Sequence, residues 1–217
     1  MYTAYNTATS KGKRNATLKI STDDDDDNEN NTSSDTDHDI TLVNNHLYFY
    51  AEVSRKTVFQ LTALLRQAEA ECIKRMHDFN LTELPIYLHI SSFGGCLFNA
   101  LTAVDVIQSC KVPVYTIIDG ATASAGTLIS IVGAKRFMRP NSYMLIHQLS
   151  SGFWGKMSEL EDEHANNTSL MNKIKHMYKK YTTVPKKTIN DILKHDLWWD
   201  YDTCLQNGLI EDEWTSA

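Results

Sequence analysis

Two segments of this chain repeat one arrangement: an apolar run, a glycine turn, and an amphipathic stretch. In the first, "LPIYLHI" (84–90) leads through "SSFGG" into "CLFNALTAVDVIQ" (96–108), where Leu97, Ala100, Leu101, Val104 and Ile107 recur at helical spacing. In the second, "VPVYTII" (112–118) leads through "DGATASAG" into "TLISIVGA" (127–134). Successive strand–turn–helix units imply right-handed crossovers and a parallel sheet. Ligands and chemistry in such sheets collect in the loops at the carboxyl ends of the strands, where both glycine turns fall. The expected class is α/β.

The flanking sequence extends this core. "HLYFYAEV" (46–53) alternates like a strand, and Val58, Leu61, Leu65, Ala68, Cys72 and Met76 then mark a helix. "RFMRPNSYMLIH" (136–147) reads as two strands about a Pro-Asn turn, the second ending at His147. A long helix is expected over roughly 158–181. Its acidic start (Glu159, Glu161, Asp162, Glu163) suits the positive end of a helix dipole. Its later half carries Leu170, Met171, Ile174, Met177, Tyr178 and Tyr181, more apolar surface than a solvent-facing helix shows. A short helix (about 186–194), "HDLWWD", and a helix ending at Gly208 complete the chain.

Charge locates the boundary. Residues 1–39 hold nine acids and four bases, net −5 of the chain's −6, and 21–39 is nearly free of apolar residues. Such a segment buries too little surface to offset its ordering entropy, so 1–39 is expected to be a disordered acidic tail or propeptide, with one domain over 40–217. The domain is then nearly neutral, with no basic stripe for nucleic acid. Its apolar stretches fall short of the ~20 residues that span a membrane, and "MYTAYNTATSKGKRNATLKIS" lacks the apolar h-region expected of a secretory signal. Four dispersed cysteines make neither a zinc site nor a disulfide framework, which suits the reducing cytoplasm.

Ser124 stands among small residues at the start of the second helix. Taken singly, it reads as a cap or a packing choice, and "TASAG" lacks the leading glycine of the G-x-S-x-G elbow. His147 alone reads as a core histidine, and Asp196 as a turn residue or cap. Together with the glycine turn they supply hydroxyl, imidazole, carboxylate and free amides at one end of one sheet, the inventory acyl transfer needs. Lys135 is the lysine nearest to Ser124 in sequence, but it opens a strand and makes a weak partner for a Ser-Lys pair.

"SSFGG", "DGATASAG", "RPNSYMLIHQ", "KHDLWW" and "NGLIE", in that order and spacing, resemble the proteolytic subunit of Clp protease (ClpP), within the ClpP/crotonase superfamily. The resemblance covers about 40–213. It implies a ClpP/crotonase-like fold with a protruding helix, the handle, and a serine endopeptidase that cleaves unfolded polypeptide inside two stacked heptameric rings without a cofactor or metal. Carried across, Ser124 is the nucleophile, His147 the base and Asp196 its orienting carboxylate. The amides of Gly95 and Ala125 form the oxyanion hole, with Gly94 shaping the turn. The apolar later half of the long helix would serve the ring-to-ring contact. A AAA+ unfoldase would dock over Tyr87, His89, Asp119 and Arg139.

The sequence also departs from the family. Phe93 replaces the proline of S-P-G-G, Ala125 a methionine, and His195 the basic residue before the aspartate. At the docking positions His89 replaces an aromatic, while Asp119 and Arg139 replace apolar residues. Two unpaired charges there would weaken a hydrophobic loop's binding; alternatively, both are solvated turn residues. A non-proteolytic ring subunit, a crotonase-type acyl-CoA enzyme and a viral head-maturation protease are the competing functions, the first two disfavoured by the intact Ser-His-Asp set.

Overall fold

The computed structural model describes residues 39–215, so the acidic tail read at 1–39 lies almost wholly outside the described residues. Strand β1 (Ile40–Val43) turns back into β2 (His46–Phe49) as an antiparallel hairpin. Helix α1 (Arg55–Asp78) follows. Ser54 caps it reciprocally: its hydroxyl accepts from the Thr57 amide at 3.3 Å while its own amide donates to Thr57 Oγ1 at 2.9 Å. Strand β3 (Ile86–Ser92), helix α2 (Leu97–Gln108), strand β4 (Val114–Ala123) and helix α3 (Ala125–Ser130) are the two repeated units. Strands β2, β3 and β4 run parallel, as the crossovers require.

Strand β4 continues through Asp119–Ala123, where the sequence suggested a turn. It is able to do so because it changes neighbours. Residues 115–118 pair with β5 (Lys135–Met138), and residues 121–123 pair with β6 (Tyr143–Leu145). Gly120 lies between the halves at φ +64°, and the register against β3 shifts between Ile90 and Ser92. A register shift of this kind bends a strand, and the change of partner carries the end of β4 to a separate edge.

The remaining elements are helix α4 (Met157–Tyr181), a single turn α5 (Ile189–Ile192), strand β7 (Trp198–Trp199), helix α6 (Tyr201–Gln206) and strand β8 (Asp212–Glu213). Strand β7 pairs antiparallel with β6, and β8 extends the sheet beyond β5. Strand β6 ends at Leu145, two residues short of His147.

Alternation assigns the two faces of the main sheet. Leu47, Phe49, Ile86, Leu88 and Ile90 pack against Leu61, Leu65, Ala100, Val104 and Leu128 of the helices. His46, Tyr48, Tyr87, His89, Tyr115 and Phe137 stand on the opposite face. One expectation about α4 changes. Ile174, Met177 and Tyr178, read as surface for another subunit, are buried within this one, and the Tyr178 and Thr127 hydroxyls meet at 2.6 Å behind α3. The exposed apolar groups lie at the other end of the helix and in its approach: Phe153, Trp154, Met157 and Leu160.

Candidate active site

Ser124 occupies the corner between β4 and α3 with φ 53° and ψ −126°, a conformation that disfavours any residue with a Cβ. Holding it there costs on the order of 1–3 kcal/mol, which the surroundings must impose. They do so from both sides. The Ser124 amide donates to Leu145 O at 2.9 Å, and the Ser124 carbonyl accepts from the Thr127 amide and hydroxyl. The position of the missing elbow glycine is filled by Thr122, fully buried, whose hydroxyl donates to Ile90 O at 2.9 Å. The sharp corner is thus made without that glycine.

The "SSFGG" turn presses against this corner. Gly94 has φ +96°, and a Cβ there would sit 2.6 Å from Ser124 Cβ and 3.0 Å from Ala125 N. Gly95 has φ +144° and closes just as tightly on the Val53 carbonyl. Both positions accept glycine alone. Bonds on one flank anchor the turn: Val53 N to Gly94 O and Cys96 N to Val53 O, both 2.8 Å, and Gly94 N to Ser92 Oγ at 3.2 Å. These bonds take the amides on either side of Gly95 but not its own.

His147 lies just after β6 and Asp196 just before β7, its antiparallel neighbour. Ala123 is in register with Leu145 on β6, two residues before His147, and Leu145 is in register with Trp198 on β7, two residues after Asp196. His147 Nδ1 and Asp196 Oδ1 lie 3.5 Å apart. That is longer than a charge-assisted hydrogen bond, and the Asp196 side chain is 76 % exposed against 25 % for His147. Catalytic contacts of this kind are often long before substrate binds. Lys135 pairs with Tyr115, nine residues upstream of Ser124 on β4, on the order of 30 Å away along the strand, and its ammonium lies over the Tyr115 ring. It takes no part in this site.

A comparison with known families bears on this chain: the Clp protease family matches over residues 44–215. The chain belongs to the Clp protease family. The mixed α/β fold with its repeated units and long helix is the one expected of that family. Membership makes the class of activity peptide hydrolysis and implies an oligomeric assembly. No helix among the described residues is long and apolar enough to cross a membrane.

The structure brings Tyr87, His89, Asp119 and Arg139 together on the sheet face away from the helices, and it pairs the two charges; Arg139 is the partly exposed member, just before the Pro140 turn. Asp119 is a buried strand residue, not a solvated turn residue, and its charge is not unpaired. Its carboxylate accepts from Arg139 Nε at 2.7 Å, His89 Nδ1 at 2.9 Å and the Tyr50 hydroxyl at 2.5 Å. Burial opposes that charge, yet the bonds from His89, Tyr50 and Arg139 prevail and hold the carboxyl below its ordinary range. Burial, reinforced by the hydrogen bond to Asp119, pushes the Tyr50 hydroxyl far up.

Sequence reasoning missed three members of this network, Tyr50, His46 and Tyr48. His46 Nδ1 meets His89 Nε2 at 3.0 Å, and Tyr48 stacks on the His89 ring with centroids 4.5 Å apart. Desolvation and the neighbouring His89 push His46 below the usual imidazole value. The alternation of "HLYFY" does put His46, Tyr48 and Tyr50 on one face. Only the parallel register of β2 on β3, which sets Tyr48 beside His89, brings them to Asp119.

Proposed function

We propose that the chain is the proteolytic subunit of a self-compartmentalising serine endopeptidase, cytoplasmic in location, acting on unfolded polypeptide. The carrying observation is the backbone of Ser124, held at φ 53° on a corner that faces Gly94 and stands beside the strand leading to His147. The Nδ1 side of His147 faces Asp196, which favours the tautomer whose Nε2 is free to accept a proton. His147 takes the Ser124 proton as Oγ attacks the scissile carbonyl. The carbonyl oxygen becomes negative and receives the amides of Gly95 and Ala125, fixed in place before the charge develops. Collapse of the tetrahedral intermediate expels the amine with the proton from His147, and water then hydrolyses the acyl-enzyme by the same steps in reverse. Asp196 orients the imidazole and stabilises it while charged.

The assembly proposed is two stacked heptameric rings, with the exposed Phe153, Trp154, Met157 and Leu160 at the start of α4 as the apolar ring-to-ring surface. A AAA+ unfoldase is the proposed partner at the Tyr87, His89, Asp119 and Arg139 face. Because those charges are already paired with each other, a docking loop would meet a polar aromatic floor rather than an aliphatic cleft. A fluorophosphonate probe tests the chemistry: it should label the wild-type protein at Ser124 and leave Ser124→Ala unlabelled. Labelling at another residue would overturn the assignment. Native mass spectrometry of the same sample tests the assembly.

A further inference from the structure

Among the described residues, hydrogen bonds tie the Gly94-Gly95 turn to Val53 and to the adjacent Ser92, and neither glycine can be stiffened by a side chain. On the other flank the ring of Phe93 meets Trp198 edge to face, with centroids 6.2 Å apart and planes at 87°. Trp198 is no neutral partner. It sits on β7 two residues after Asp196, and its register partner Leu145 lies two residues before His147. An aromatic contact therefore joins the turn that bears the Gly95 amide to β7, which follows Asp196 and pairs with β6, the strand that leads to His147.

The two rings are 64 % and 38 % exposed, so the contact buries too little to count as core packing. Edge-to-face geometry has a directional preference that such rings exploit without full burial. We propose that Phe93 is a positioning residue: through Trp198 it sets the Gly95 amide relative to the His147–Asp196 pair, the task a proline before the glycines would perform by restricting the backbone. This rests on the reading of Ser124 as nucleophile, which the experiment below tests separately.

Two readouts are taken on the full-length assembled protein, for wild type, Phe93→Ala, Phe93→Tyr, Trp198→Ala and the double alanine variant. Amide hydrogen exchange over residues 92–97 reports the turn directly. The rate of fluorophosphonate labelling, with kcat and KM on a short peptide, reports the consequence. Removing an oxyanion donor outright costs 10²–10³ in rate, so misplacing one should cost roughly tenfold in kcat and labelling, with KM little changed. Exchange should rise in both single alanine variants and stay near wild type in Phe93→Tyr, which keeps the ring. The double variant should be no worse than the single ones, because one contact is lost in each. Unchanged exchange in Phe93→Ala overturns the proposal, as does a faster-exchanging turn with an undiminished labelling rate, or additive losses in the double variant. If the turn loosens but the wild type is never labelled at Ser124, the contact stands and the nucleophile reading falls.

Discussion

A Cβ on Gly94 would lie 2.6 Å from the Cβ of Ser124, closer than non-bonded carbons approach. The turn and the corner are therefore seated against each other with no space for even one methyl group. Gly94→Ala should lose labelling at Ser124 by at least ~10²-fold, as for a lost oxyanion donor, since either the turn or Ser124 must move. It should also unfold at a lower temperature, because alanine at φ +96° is strained whatever the space. Labelling kinetics and thermal melts on the same preparation check both.

Ser124 itself is strained, and its strain and its proposed role oppose each other. Ser124→Gly should abolish labelling yet raise stability by about 1 kcal/mol, because glycine takes φ 53° freely. For a domain of this size that is ~2–4 °C in Tm, measurable by calorimetry. A fall in Tm would show that the corner is not a reservoir of strain.

His147→Ala should reduce kcat/KM on a short peptide by several orders of magnitude, since the proposed base is removed. Asp196→Asn should cost less than the ~10⁴ seen where the triad carboxylate is buried, because Asp196 is mostly exposed and 3.5 Å from the imidazole. Steady-state kinetics of the two variants give the comparison.

Asp119 accepts from three side chains, of which His89 is fully buried and cannot turn to water instead. Asp119→Met should destabilise by ~2–4 kcal/mol, for it leaves His89, Tyr50 and Arg139 without their acceptor. Arg139→Leu should cost much less, because the Arg139 side chain is 39 % exposed and Asp119 keeps two donors. Urea denaturation of the two single variants separates the effects.

His46 makes the same face sensitive to acid. Its folded pKa lies below the ordinary 6.5, so near that pH the unfolded chain binds more protons than the folded one. Stability is then fully present above pH 6.5 and is lost as pH falls through the lower folded value. Tm should decline between pH 7 and 5, and His46→Gln should flatten that decline. The Asp119 contribution, from a carboxyl held low, goes only in stronger acid, below its unfolded value near 3.9.

Much of this was legible before any coordinates. Val58 to Cys72 and Leu97 to Ile107 kept helical periodicity because each helix covers one sheet face, and the two strand–turn–helix units folded as parallel neighbours. The family resemblance, carried by motifs at fixed spacing, agrees with the family match. The later half of α4 misled because periodicity reports that an apolar stripe is covered, not by what: Ile174 and Tyr178 are covered by their own subunit. The end of β4 misled because "DGATA" has turn composition, yet a change of strand partner satisfies its backbone.

The sequence by itself determined the class of fold, the family and the set of groups available for chemistry, because periodicity and glycine placement act over a few residues. Tertiary structure alone decided which groups meet. Gly94 bears on Ser124, Asp119 closes on Arg139, His89 and Tyr50, and Phe93 reaches Trp198 only through strand register and the bend in β4. Those contacts join residues 20 to 105 positions apart, and no local preference of the chain encodes a distance between them.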